Sequence, residues 1–269
     1  MAKFLTLNTH SWLGEDPKWA LETLGKQILK ADYDVIALQE INQRIDSAKV
    51  LNTPYTLKNQ HQLHEDNYAL KLVEYLKEHG LTYHFTWAYS HIGYDEYHEG
   101  VALLSKQPFS SEKSVLTSAV DDEYNYHTRR ALIAKTTVAG KELCVVSGHF
   151  SWWKSDFKSE WQRLEQALAD EQAPLIIMGD FNNPENTLGH DLVLASSLGL
   201  KDSHLAAKKV TGGPTILQDI DGWENNDKAL RIDFIFVSQQ LEVKESHVLF
   251  DGKKSPLISD HFGVECVIE

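Results

Sequence analysis

Short apolar runs, each leading to a polar residue able to bind a metal ion or move a proton, recur along the chain. Phe4-Leu5-Thr6-Leu7 leads to Asn8, Val35-Ile36-Ala37-Leu38-Gln39 to Glu40, and Cys144-Val145-Val146-Ser147-Gly148 to His149. Leu175-Ile176-Ile177-Met178-Gly179 leads to Asp180 and Asn182, and Arg231-Ile232 introduces Asp233 ahead of Phe234-Ile235-Phe236-Val237. Runs this short and this rich in β-branched residues predict buried strands. If those strands share a core, their ends converge on one rim. Further strand-like segments lie at 82–88, 101–104, 132–138, 243–249 and 262–268.

Helical periodicity fills several gaps. Asp16-Pro17 offers a cap and a first-turn proline before Leu21, Leu24 and Ile28. A second helix is expected over 68–78, stopping at Gly80, and a third over 156–169 with Trp161, Leu164 and Leu168 on one stripe. Many strands with a few helices packed outside them predict an α/β sandwich of two sheets. Residues 42–67, rich in Asn, Gln and His, and 201–230, with Gly212-Gly213-Pro214, read as long loops that would shape a site at the rim.

A length of 269 residues with 42% hydrophobic content suits one domain, 1–269, with a sizeable core. The net charge of −13 argues against a broad electrostatic grip on nucleic acid without excluding it, because a metal and a few local cations can offset substrate charge. Cys144 and Cys266 fall inside apolar runs and read as buried thiols. No charged and apolar leader precedes Phe4 and no apolar run reaches membrane-spanning length, so the expectation is a cytoplasmic protein with no membrane partner.

Each chemical motif has a bland reading when taken alone. Gly179-Asp180-Phe181-Asn182 places a carboxylate and an amide just past a strand, where Asp and Asn are common as caps. Ser259-Asp260-His261 pairs an acid with an imidazole, as a turn with a solvated His also would. Glu40 by itself is an acid at a strand end. Together and in this order, Asn8, Glu40, His149, Asp180 with Asn182, Asp233 and Asp260-His261 resemble the active-site set of the endonuclease/exonuclease/phosphatase superfamily. The match spans nearly the whole chain.

That resemblance implies a DNase I-like four-layered α/β sandwich, with two mostly antiparallel sheets flanked by helices, and metal-assisted attack of water on a phosphate ester. It makes Glu40 the principal ligand of Mg²⁺ (Mn²⁺ able to substitute), with Asn8 and Asp260 completing the site, as oxygen donors suit that ion. His261, oriented by Asp233, would activate the water; Asp180 and Asn182 would hold nucleophile and phosphoryl oxygens; His149, oriented by Glu99, would be a second electrostatic or acid group. Arg130 stands at the family's usual phosphate-binding position, with Arg129 the less favoured substitute. Inositol polyphosphate phosphatases, abasic-site endonucleases and secreted sphingomyelinases fit less well, for want respectively of a Trp-containing Asp-Arg motif, of their usual residue at position 149, and of an export signal with an apolar hairpin.

Trp12, Trp152 and Trp153 lie near the catalytic segments, where indoles either pack in the core or stack on sugar faces. With the acidic charge they make the chain similar to the maltose 6'-phosphate phosphatase branch. The expectation is therefore a phosphomonoesterase acting on a small phosphorylated sugar, with no obligatory protein partner. A DNase I-like nuclease and a non-catalytic phosphate-binding scaffold are the alternatives.

Overall fold

Alternation along the strands sorts the apolar side chains into separate cores, and a computed structural model describing residues 1–51, 57 and 60–269 shows where each lies. The first half of the chain forms β1 (Ala2–Asn8), α1 (Pro17–Ala31), β2 (Val35–Arg44), α2 (Tyr68–Glu78), β3 (His84–Gly93), β4 (Tyr97–Ser105) and β5 (Phe109–Leu116). There follow β6 (Arg130–Val138), β7 (Lys141–His149), α3 (Phe157–Leu168), β8 (Leu175–Asp180), α4 (Leu188–Leu194) and β9 (Leu200–Asp202). The last elements are α5 (Ser203–Ala206), β10 (Lys209–Thr211), β11 (Asp233–Ser238), β12 (Val243–Leu249) and β13 (Gly263–Ile268).

A seven-stranded sheet runs β10-β12-β13-β1-β2-β4-β3, and a six-stranded sheet runs β5-β6-β7-β8-β11-β9. Phe4, Val35, Ala37, Leu132, Val145, Ile176, Met178 and Ile235 fill the space between the sheets. Their neighbours in sequence point the other way. Leu5, Ile36 and Leu38 meet Leu24 and Ile28 of α1 and Leu72 of α2, while Val146, Ile177, Phe234 and Phe236 meet Trp161 and Leu164 of α3. Strands buried on both faces explain the unbroken apolar runs. Three cores between four layers give the DNase I-like sandwich that the sequence predicts.

The helix signals act as expected. The Asp16 carboxylate accepts from Trp19 N at 3.0 Å with Pro17 in the first turn, and Asn67 accepts from Leu70 N at 3.2 Å at the start of α2. The expected loops are less irregular than their composition suggests. β2 runs on to Arg44, taking the first residues of 42–67, part of which lies outside the described residues. Within 201–230 the chain forms part of β9, then α5 and β10, and an isolated bridge joins Ile216 to Leu230. No described helix is long and apolar enough to cross a membrane.

Candidate active site

Strand direction gathers the polar ends on one rim. β1 and β2 are parallel, with Asn8 opposite Gln39, and β7 and β8 are parallel, with His149 opposite Asp180. β11 is antiparallel to β8, so its first residue, Asp233, falls opposite the last, Asp180. Gly179 makes this ending possible: at φ 150° a Cβ on it would stand 1.9 Å from Gly148 O.

Glu40 reaches the rim through a fault in the ladder. Regular alternation would turn it to the helix-covered face of its sheet, with Leu38. Instead the β2–β4 register shifts between Leu38 and Ile41, and Glu40 takes φ 53°. Gln39 anchors the fault between the sheets, accepting from Thr6 Oγ1 at 3.2 Å and donating to Ser147 Oγ at 3.1 Å. Asn8 Nδ2 then donates to Glu40 Oε1 at 2.9 Å and to Asp180 Oδ2 at 3.2 Å.

His10, which the sequence motifs do not single out, sits between Glu40 (3.3 Å) and Asp260 (3.8 Å). Burial works against its charge, but the two carboxylates outweigh it and raise its pKa to about 9. Burial, with Glu99 and Asp260 adding, holds the Glu40 carboxyl above the usual range despite its contact with His10. Glu40 and Asp260 thus offer oxygen donors and more negative charge than His10 offsets, a set that fits a hard divalent cation. Asn8 faces the acids with its NH₂ group, and its Oδ1 accepts from His10 N at 3.3 Å. It would have to turn its amide over to join as a ligand.

A second cluster has Asp180 at its hub. His261 Nδ1 is held by Asp233 Oδ2 at 3.0 Å, and its Nε2 lies 3.7 Å from Asp180 Oδ2, which is also 3.5 Å from His149 Nε2. Ligand atoms of Asp180, Asp233 and His261 lie within 4.8 Å of one another, close enough for a metal, but the Nδ1 of His261 is already committed to Asp233. Burial opposes charge on His261, yet Asp233 and Asp180 overcome it and hold the pKa well above the ordinary imidazole value. One imidazolium serves two carboxylates, so Asp180 is not fully compensated. Its burial, against the pull of His261 and with Asp233 adding, raises its pKa to about 7. Burial, then Arg129 and His261, push His149 well below its ordinary value and keep it neutral.

Part of this set floors a cavity of 660 Å³, whose lining does not include Asn8, His10, Asp233 or Asp260. Glu40, Glu99, His149, Asp180, Asn182, His261 and Trp152 all line it. Arg130 does not: its Nη2 pairs with Asp121 Oδ1 at 2.6 Å. The lining guanidinium is that of Arg129, buried, with an Nε that has no hydrogen-bond partner. Glu99 contacts His91 Nε2 at 3.4 Å, so it orients that imidazole and not His149. Trp12 is spent on packing, edge-on to Tyr68 with its Nε1 donating to Asp66 O at 2.8 Å. Trp153 packs on Phe157 away from the lining. His10, His91, Tyr94, Asp221 and Trp223 belong to no motif in the sequence and join the site only through the fold.

A two-sheet sandwich with carboxylates, amides and imidazoles gathered on one rim defines a class of phosphate-ester hydrolases. The chain belongs to the Endonuclease/Exonuclease/phosphatase family, whose model matches residues 11–261. Members are metal-dependent phosphoesterases or nucleases. Among solved structures the chain is similar to an endonuclease/exonuclease/phosphatase family protein from Leptotrichia buccalis C-1013-b, with 31% identity and a TM-score of 0.88 over 100% of both chains. It shares its fold with the mannosyl-6-phosphatase of Bacteroides thetaiotaomicron VPI-5482, at 18% identity and TM-score 0.70 over 100% of both chains. The same holds for D. rerio TDP2 complexed with a single-strand DNA product, at 16% identity and TM-score 0.65 over 100% of this chain and 98% of that one. Among curated proteins none matches.

Proposed function

We propose that the protein is a Mg²⁺-dependent phosphomonoesterase, with Mn²⁺ able to substitute, acting on a small phosphorylated sugar such as maltose 6'-phosphate. The observation that carries this reading is the chemistry of the cavity wall above the catalytic floor. Tyr94, Tyr126 and Trp152 supply faces for a sugar ring, while Asp95, Asp221 and Glu224 supply acceptors for hydroxyl groups. Among the described residues lining the cavity, Arg129 is the one Lys or Arg, enough for a single phosphate and far short of a track for a polyanion. That a mannosyl-6-phosphatase has the same fold is consistent with this substrate class.

Glu40 and Asp260 would hold the cation, joined by Asn8 if its amide turns. When bound, the ion supplies Lewis-acid polarisation of the phosphoryl group and neutralises developing charge. A water in line with the ester bond gives its proton to Asp180, whose pKa of about 7 matches a base working near neutrality, rather than to His261, the base that the resemblance implies but that Asp233 keeps protonated. Asn182 N holds one oxygen of the Asp180 carboxylate at 2.9 Å, and Asn8 Nδ2 holds the other at 3.2 Å as long as its amide keeps its present orientation. His261, kept protonated by Asp233, and Arg129 offset the phosphoryl charge as the P–O bond to the sugar breaks. The water oxygen becomes bonded to phosphorus as that bond breaks, the sugar oxygen takes up a proton from solvent, inorganic phosphate leaves, and Asp180 returns its proton to solvent.

The test is a panel of maltose 6'-phosphate, glucose 6-phosphate, inositol phosphates, sphingomyelin and supercoiled plasmid, assayed with Mg²⁺ and with EDTA. Phosphate release from a sugar phosphate that EDTA abolishes is the expected result. Efficient plasmid nicking with poor sugar-phosphate turnover would replace this reading with a nuclease, and no metal-dependent turnover at all would leave a scaffold.

A further inference from the structure

A short segment with Asp221 and Gly222 in the cavity lining is fastened at both ends. At one end Trp223 Nε1 donates to Asn182 Oδ1 at 2.8 Å. Asn182 itself sits at φ 49°, and its Nδ2 donates to Phe150 O at 3.0 Å. The indole therefore fixes the remaining side of an amide that stands two residues from Asp180. At the other end Asp221 accepts from the Tyr94 hydroxyl, and both residues line the cavity. Tyr94 is presented by the tight turn between β3 and β4, where Tyr94 and Asp95 are both left-handed and Glu96 N bonds Gly93 O at 3.1 Å. Between the two fastenings Gly222 lies against Trp152: a Cβ there would stand 2.4 Å from Trp152 Cζ2. The segment's own turns, Trp223 N to Ile220 O and Asn226 N to Trp223 O, hold its shape.

We propose that Asp221–Trp223 is a specificity strap: Trp223 is a positioning residue for Asn182, and the Tyr94–Asp221 latch closes one exit of the cavity. This deepens the phosphomonoesterase reading and rests on it. A phosphate carried at the end of a molecule enters from the open side. A chain continuing through the phosphate, as in a phosphodiester, would have to pass where the latch stands. Because strap and catalytic amide share a hydrogen bond, loosening one disturbs the other.

Two variants test this, each at one side chain. Trp223→Phe keeps the ring and removes its donor. The expected result with p-nitrophenyl phosphate is a kcat about tenfold lower with KM within about twofold, since the lost bond orients an amide already present. Trp223→His, which restores a ring N–H, should recover part of the rate, which simple loss of packing would not allow. Tyr94→Phe removes only the latch hydroxyl from a half-exposed side chain. In it, kcat/KM for p-nitrophenyl thymidine 5'-phosphate relative to p-nitrophenyl phosphate should rise at least about fivefold. An unchanged kcat in Trp223→Phe, or an unchanged diester to monoester ratio in Tyr94→Phe, overturns the strap. A wild-type protein that prefers the diester overturns the monoesterase reading instead, and is seen before any variant is made.

Discussion

Asp233 shows how one buried carboxylate sets the state of its neighbour. It holds the Nδ1 proton of His261 and, with Asp180, keeps that imidazole charged against the cost of burial. Asp233→Asn preserves shape but removes the charge, so His261 should lose its proton near neutrality and the rate should fall by about 10³–10⁴, the scale known for a misdirected catalytic histidine. Single-turnover kinetics across pH would check it, and near wild-type activity would remove His261 from the charged role. The two adjacent arginines make a second test. Arg129→Ala should raise KM for a phosphomonoester at least about tenfold, as a charge-assisted contact is worth about 1.5–3 kcal/mol, whereas Arg130→Ala should change it less than about twofold, since its partner is the exposed Asp121. The family resemblance points to Arg130, but a step of one residue at a strand start turns a side chain to another face, and no pattern in Arg129-Arg130-Ala131 says which of the two the cavity takes. His10 and His91 were hidden for a similar reason. Both are recruited by three-dimensional proximity to Glu40 and Glu99, not by any spacing along the chain.

At the scale of elements, legibility follows burial. β1, β2, β7, β8 and β11 are buried on both faces, so their apolar runs stand out, and because they end at the rim the acids and amides after them were legible too. β5 was not foreseen: Phe109–Leu116 is an edge strand with little buried surface and mostly polar residues. β9 and β10 have three residues each and α4 has seven, too few for any period to show. The bulge at Glu40 leaves no signal either, although it decides where the residue points. β4 carries a measurable consequence of burial in His98, which lies 4.1 Å from the His61 ring and 5.3 Å from the Tyr89 ring. Burial, with His61 and His64 adding, lowers its pKa to about 4. Its folded value lies below its unfolded one, so the unfolded chain binds the extra proton between these values. Stability from this group is then complete above about pH 6.5 and falls as pH drops toward about 4. His98→Gln should flatten that part of the Tm profile relative to wild type; parallel profiles would show that His98 charges without penalty.

At the scale of the whole molecule, charge separates the two kinds of substrate that the fold can serve. The chain carries −13 at neutral pH, and the cavity wall adds Asp95, Asp221 and Glu224 close to the entering ligand. Affinity for a nucleic acid comes from neutralising many phosphates, so a protein making 6–10 such contacts loses about 10³–10⁵ in binding between 50 and 200 mM salt. A sugar monophosphate would meet one cluster of cations, Arg129 and His261 beside a bound metal, and so would release few counterions on binding. Its KM should therefore change by less than about fivefold over the same salt range at fixed Mg²⁺, while any residual plasmid nicking should fall steeply. The measurement is a KM series for the best sugar phosphate of the panel beside a nicking assay, at matched free Mg²⁺. A KM that climbs as steeply as the nicking falls would mean that substrate is held by an extended electrostatic surface, and the cavity would then not be the place where the phosphate is recognised.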